Sequence, residues 1–205
     1  MFRREVLWAV GASVFAPSRA FAAPVPSLPL AIAVARRAEG SAPVVDAAFV
    51  SHALERANEI FGEHGLSFFA PEPARALGAT HADLEDRAAR DALASDLVDQ
   101  RINVFIVRSL RDVDDPALHR MGVTWRKLSN LKKRYVIVAA SARDTTLAHE
   151  LGHFLGNDHS YVKNNLMSYD RDEEATHPHI FLDAKQGARA AQAARALFAS
   201  GELSP

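Results

Sequence analysis

The segment "RINVFIVRSL" (Arg101 to Leu110) constrains the fold most. Its centre is unbroken apolar, β-branched and aromatic, so as a strand it has no face to offer water and must lie in a sheet covered on both sides. "RYVIVAA" (Arg134 to Ala140) repeats that character, and "PLAIAVARR" (Pro29 to Arg37) is a third apolar run bounded by proline. Two weaker strand candidates are "GLSFFAPE" (Gly65 to Glu72), stopped by Pro71 and Pro73, and "MGVTWRK" (Met121 to Lys127) after an acidic loop.

The cover for such a sheet is also present. Between Val44 and His64 the apolar residues Val45, Phe49, Ala53, Leu54, Ala57, Ile60 and Phe61 recur at three and four, and Gly62 and Gly65 end the pattern. "THADLEDRAARDALASDLVDQ" (Thr80 to Gln100) reads as a charged, alanine-rich helix, and "FLDAKQGARAAQAARALF" (Phe181 to Phe198) as a closing one. The alternation predicts a single domain, residues 23–205, built on a mixed sheet dressed with helices. A chain of 205 residues is long enough to bury a real core in one unit.

The start of the chain is of another kind. "MFRREVLWAVGASVFAPSRAFAAP" has a basic beginning, an apolar run from Val6 to Ala16 too short to span a bilayer, and Ala20 and Ala22 in the A-x-A spacing of a cleavage site. Residues 1–22 are therefore expected to be a signal peptide and the protein to be exported, to periplasm or medium, without a membrane span. Arg3-Arg4 and Arg19 fit twin-arginine export, and ordinary secretory signals also begin with basic pairs. Removal takes away three arginines and one glutamate, moving the formal charge from −1 to −3. That balance gives no footprint for nucleic acid. With no cysteine, the exported chain has neither disulfide nor catalytic or inhibitory thiol, and a monomer is expected.

"HELGHFLGNDHSYVKNNLMSYD" (His149 to Asp170) carries the chemistry. A helix through Leu155, which Ser141 of "SARD" is expected to begin, puts His149 and His153 four apart on one face, where both imidazoles reach one ion. Glu150 lies beside that face. Gly156 is the residue that lets the helix stop in a sharp turn, after which His159 can return to supply a third nitrogen. Three neutral imidazoles leave one tetrahedral position open, the catalytic pattern for zinc.

"HELGHFLGNDH" matches the metzincin signature H-E-x-x-H-x-x-G-x-x-H, and "NLMSY" supplies the methionine of its Met-turn, so the chain resembles metzincin zinc metalloproteases. Ser160 and the short gap to Met167 look like the matrixins, whereas Tyr169 two residues after the methionine looks like the serralysins and astacins. The resemblance implies an α+β fold with a mostly parallel sheet above an active-site helix and a small irregular C-terminal subdomain ending in a helix. It further implies zinc on His149, His153 and His159, Glu150 as general base, Met167 as an apolar floor, and Tyr169 as a donor to developing oxyanion charge or an ordinary half-buried tyrosine. The expected substrate is a peptide or protein lying along "MGVTWRK", with Trp125 near the cleft or in the core.

Other features are less pointed. Asp112, Asp114, Asp115 and His119 would suit calcium, and a solvated acidic loop accounts for them too. The basic run from Trp125 to Arg134 is expected beside the cleft, where it would favour acidic peptides, or to be a solvated hairpin. His177 and His179 form an H-x-H pair without a third partner. The competing reading of the whole is an envelope peptide-binding module that keeps fold and metal but turns nothing over; retention of Glu150 favours the enzyme.

Overall fold

Strand β5 (Ile102–Val107) is buried at all six positions and has a parallel neighbour on each side, as its apolar centre requires. The computed structural model describes residues 25–131, 133–172 and 179–205; the expected signal peptide and His177 lie outside them. The other elements are β1 (Leu28–Ala35), α1 (Ala47–Gly62), β2 (Phe68–Phe69), β3 (Arg75–Leu77), β4 (Asp83–Leu84), α2 (Arg87–Ala92), β6 (Ser109–Leu110), β7 (Gly122–Arg126), β8 (Arg134–Ala139), α3 (Thr146–Phe154) and α4 (Ala184–Ala199). The main sheet runs β2-β1-β5-β8-β7, with β3 also beside β1; every pairing is parallel except that of β7 with β8. Among the described residues no helix is long and apolar enough to cross a membrane.

One face of the sheet is covered by α1 and α3, which pack on each other. Asp46 caps α1 by accepting the Phe49 amide at 2.9 Å, and Ala53, Ala57, Ile60 and Phe61 bury its apolar stripe. Helix α4 opens with a full capping box between Asp183 and Gln186. Gln186 also pairs side chain to side chain with Asn165, which ties this closing helix to the loop after α3.

Two expectations need correction. The helix over 80–100 is replaced by β4, the short α2 and two single turns of 3₁₀ helix. Asp83 and Leu84 pair with Ser109 and Leu110, the Asp83 carboxylate takes Arg108 and Ser109, and Asp86 starts α2 only at Arg87 by accepting the Ala89 amide. Local side-chain bonding by aspartates thus overrides the alanine-rich helical periodicity. Ser141 starts no helix, because the chain passes through turns whose Asp144 lies 3.8 Å from Arg56 and 4.0 Å from His52 of α1, and α3 begins at Thr146. Of the two places expected for Trp125, the structure shows the core. The Thr124 hydroxyl meets α3, so the pleat sends Trp125 to the other face, where its Nε1–H donates to Asp91 at 2.7 Å and the Arg90 guanidinium stands 4.8 Å from the ring centre.

Met167 is fully buried, and its sulfur lies against Gly152 of α3 so closely that a Cβ there would overlap it. Alanine would gain about 1 kcal/mol in helix propensity, and overpacking costs about 1–3 kcal/mol. Gly152→Ala is therefore expected to lower the melting temperature, while in a Met167→Ala background the same change is neutral or stabilising. Thermal melts of the four-member cycle check this, and additivity across the cycle would refute the contact.

A second expectation concerns the acidic loop. Asp112 accepts the Asp114 amide at 2.8 Å and the Asp115 amide at 3.3 Å and pairs with Arg120, contacts that hold its carboxyl below the ordinary 3.8. A depressed carboxyl stabilises the fold above its unfolded value and loses that contribution as pH falls through the folded one. Asp112→Ala should melt below wild type at pH 7, and the gap should close as pH falls below 3.8 and through the lowered folded-state value. A difference independent of pH would exclude the charge as its origin.

Candidate metal centre

Helix α3 stacks His149 and His153 one turn apart, with ring centroids 4.7 Å apart. Gly156 then takes φ 87, as predicted from its place after the helix, and the Gly156 and Asn157 amides close on the His153 and Gly152 carbonyls. The chain turns back under the helix. As a result His153 Nε2 lies 3.1 Å from His149 Nε2 and 3.1 Å from His159 Nε2.

The outer nitrogens explain the inner ones. His149 Nδ1 stands 2.7 Å from the Leu166 carbonyl and His153 Nδ1 2.8 Å from the Asn157 carbonyl. A carbonyl only accepts, so both Nδ1 atoms carry the proton and both Nε2 atoms present bare lone pairs to each other. Such an arrangement repels itself unless a cation lies between. Zinc with Zn–N of about 2.0–2.1 Å in tetrahedral geometry separates its nitrogens by about 3.3 Å, so this donor set fits one zinc ion. Among the described residues it is the single group of three or more His, Cys or acidic side chains gathered tightly enough for a metal, within 4.8 Å.

Electrostatics favour the same use. Burial pulls His149 down to about 4, against the opposing bond to Leu166, and lowers His153 in the same sense, so both rings are neutral near pH 7. Burial pushes Glu150 up to about 7, opposed by Thr124. The Thr124 hydroxyl is 2.7 Å from the Glu150 carbonyl and 3.0 Å from its Oε2, so β7 grips both the helix backbone and the carboxylate.

Met167 forms the floor. Its amide donates to Asn165 Oδ1 at 2.9 Å, and its carbonyl accepts the Ser160 amide at 2.9 Å, which joins the loop of the third histidine to the turn beneath it. Tyr169 is exposed, with its hydroxyl 2.8 Å from His159 Nε2, so it stands at the rim of the histidine cluster rather than in the core. Burial raises its hydroxyl above the ordinary tyrosine value.

The cleft beside these residues has a volume of about 380 Å³ and is lined in part by Gly122, Thr146, His149, Glu150 and Tyr169. None of the described residues of the basic run 125–134 lines it, and Lys132 lies outside the described residues. Arg134 stacks on the Phe154 ring at 4.4 Å and pairs with Glu202, and Lys133 donates to the Ala94 carbonyl. Asp114 of the acidic loop pairs with Arg87, and Asp112 with Arg120. His179 lies 3.6 Å from Glu63.

Sequence reading did not single out Thr124, Asn165, Gly152 or Arg171, whose guanidinium donates to the Asn165 and Leu166 carbonyls. Period-two alternation in "GVTWR" offered a signal for Thr124, since a strand that buries Trp125 on one face must present Thr124 to the other. The roles of the other three come from contacts between segments remote in sequence or from carbonyl directions, which letters do not encode.

No protein-family model matches the chain, and no curated protein matches it. Solved structures do. Metalloproteinase-II from Bacteroides fragilis is 14% identical with a TM-score of 0.53 over 84% of this chain and 55% of that one, so this chain spans little more than half of its length. Mirolysin, solved in complex with a compound, is 11% identical with a TM-score of 0.55 over 85% of this chain and 92% of that one. The fold is thus shared with these two proteins, a mixed, mostly parallel sheet with covering helices, and on it this chain gathers three histidines at one point.

Proposed function

We propose that the protein is an exported, zinc-dependent endopeptidase of the metzincin kind with Glu150 as its general base. The observation that carries this reading is the meeting of three Nε2 atoms beside a buried carboxylate at the edge of a cleft. The leader-like residues 1–22 support export, and Ser160 with the short step to Met167 supports a matrixin-like member.

Zinc held by His149, His153 and His159 supplies Lewis acidity to a water and to a peptide carbonyl. The chain does the rest. Glu150, poised near neutrality by burial, takes the proton of the attacking water on a carboxylate oxygen and passes it to the leaving nitrogen. Thr124 keeps that carboxylate in place. Strand β7 pairs only with β8 among the described residues, so its outer edge is available to align a peptide backbone by strand addition. The Tyr169 hydroxyl, at the ligand rim, donates to negative charge as it develops on the carbonyl oxygen.

Metal analysis of the purified protein should give one zinc per chain, lost on His149→Ala or His153→Ala. Glu150→Gln should keep that zinc and lower kcat/KM on a mixed peptide library by roughly 10²–10⁴-fold. Undiminished hydrolysis in this variant, or a wild type that takes up no zinc, would overturn the assignment. Tyr169→Phe should lower kcat by roughly tenfold or more with KM and zinc content little changed; an effect on KM alone would make it a binding residue.

A further inference from the structure

The cleft carries a charge that peptide hydrolysis does not need. Arg120 enters it from the loop before β7, Arg143 from the turns before α3, and Arg171 from the segment after Met167, while among the described residues Glu150 is the one carboxylate in its lining. This is local, because the whole chain has a formal charge of −1.

The three guanidinium groups are not equivalent. Arg120 is paired with Asp112, and Arg171 has its donors on the Asn165 and Leu166 carbonyls, where it supports the same carbonyl that orients His149. Arg143 is exposed; its carbonyl accepts the Thr146 amide, and its guanidinium has no side-chain hydrogen bond or ion pair among the described residues. Its fork of donors is therefore free for a ligand. Arg171 and Arg143 also repel: burial first, and then Arg143, holds the Arg171 guanidinium below its ordinary value. The positive end of α3 adds to the field, since Thr145 and Thr146 line the same cleft and the Thr145 side chain caps no amide. Three cations and a helix N-terminus converging on one concavity leave a deficit of negative charge where a substrate side chain would sit.

We propose that this cleft is the specificity pocket for the substrate residue next to the scissile bond, and that it selects a carboxylate through Arg143. The proposal rests on the endopeptidase reading. Its position follows from its walls, because His149 and Glu150 line it and the open edge of β7 begins there at Gly122. A planar carboxylate meets an arginine fork through two parallel N–H···O bonds, which a lysine-like or neutral group cannot reproduce. The carboxylate has two sources, an aspartate or glutamate side chain within a peptide or the free end of a chain.

The test uses the zinc-loaded protein and peptides of matched sequence carrying Glu, Gln or Lys next to the scissile bond with amidated ends. A second set has a neutral residue there and either a free or an amidated C-terminus. Preference for Glu over Gln by roughly tenfold or more in kcat/KM supports a side-chain pocket, and preference for the free end supports a terminal-carboxylate pocket. Arg143→Ala should erase the preference while retaining cleavage of the Gln peptide, and Arg143→Glu should turn it toward Lys. Equal cleavage of all peptides, or an acidic preference untouched in both variants, overturns the proposal.

Fluorescence anisotropy of the same peptides on the Glu150→Gln protein keeps the two readings apart. Acid-selective binding without any cleavage by wild type sinks the endopeptidase and leaves the pocket standing. Cleavage with neither selective binding nor selective turnover does the reverse.

Discussion

Two main-chain carbonyls decide what the histidine cluster is. Leu166 and Asn157 each take an Nδ1 proton and thereby turn a bare Nε2 toward a shared point. Without them a ring could flip or change tautomer, and the three nitrogens would no longer converge. Everything around the cluster can be understood as holding those two carbonyls still. Asn157 O is placed by the turn at Gly156, and Leu166 O by a loop fastened through Asn165, Gln186 and Arg171. The far C-terminal helix is in this way an outer support of the site, although it contributes no residue to it.

The sheet supports the site from the other side. β8 delivers the chain to the turns before α3, and β7, the one antiparallel strand, holds Glu150 through Thr124. The helix is thus pinned along two lines, by a strand above and by Met167 below, with Gly152 allowing the lower contact. Rigidity is what three ligands on two separate segments need, since a displacement of either by half an ångström would spoil the common distance.

The histidines that converge were legible in the sequence because their spacing is itself the geometry. Four residues per step on a helix places His149 and His153, and a residue tolerant of positive φ places the return to His159. Buried strands were equally plain, since Val104 to Val107 and Val136 to Ala139 contain nothing that water could solvate. Residues 80–100 were not, because Asp83 and Asp86 can satisfy backbone and cationic partners locally and so compete with the helix their neighbours favour. The charge of the cleft escaped for a different reason. Its three arginines are separated by more than twenty residues at each step, and a compact basic run elsewhere in the chain drew attention to residues that turn out to serve Phe154, Ala94 and Glu202.

The open side of β7 has a consequence for the protein's behaviour at high concentration. A strand edge able to receive a peptide is equally able to receive the same strand of another molecule, the first step of sheet-to-sheet aggregation. Here the hazard is limited by construction, for β7 is five residues long and terminates in Arg126, opposite Arg134 of β8. Two copies meeting edge to edge would gain few hydrogen bonds. A short edge limits how far such self-pairing can run.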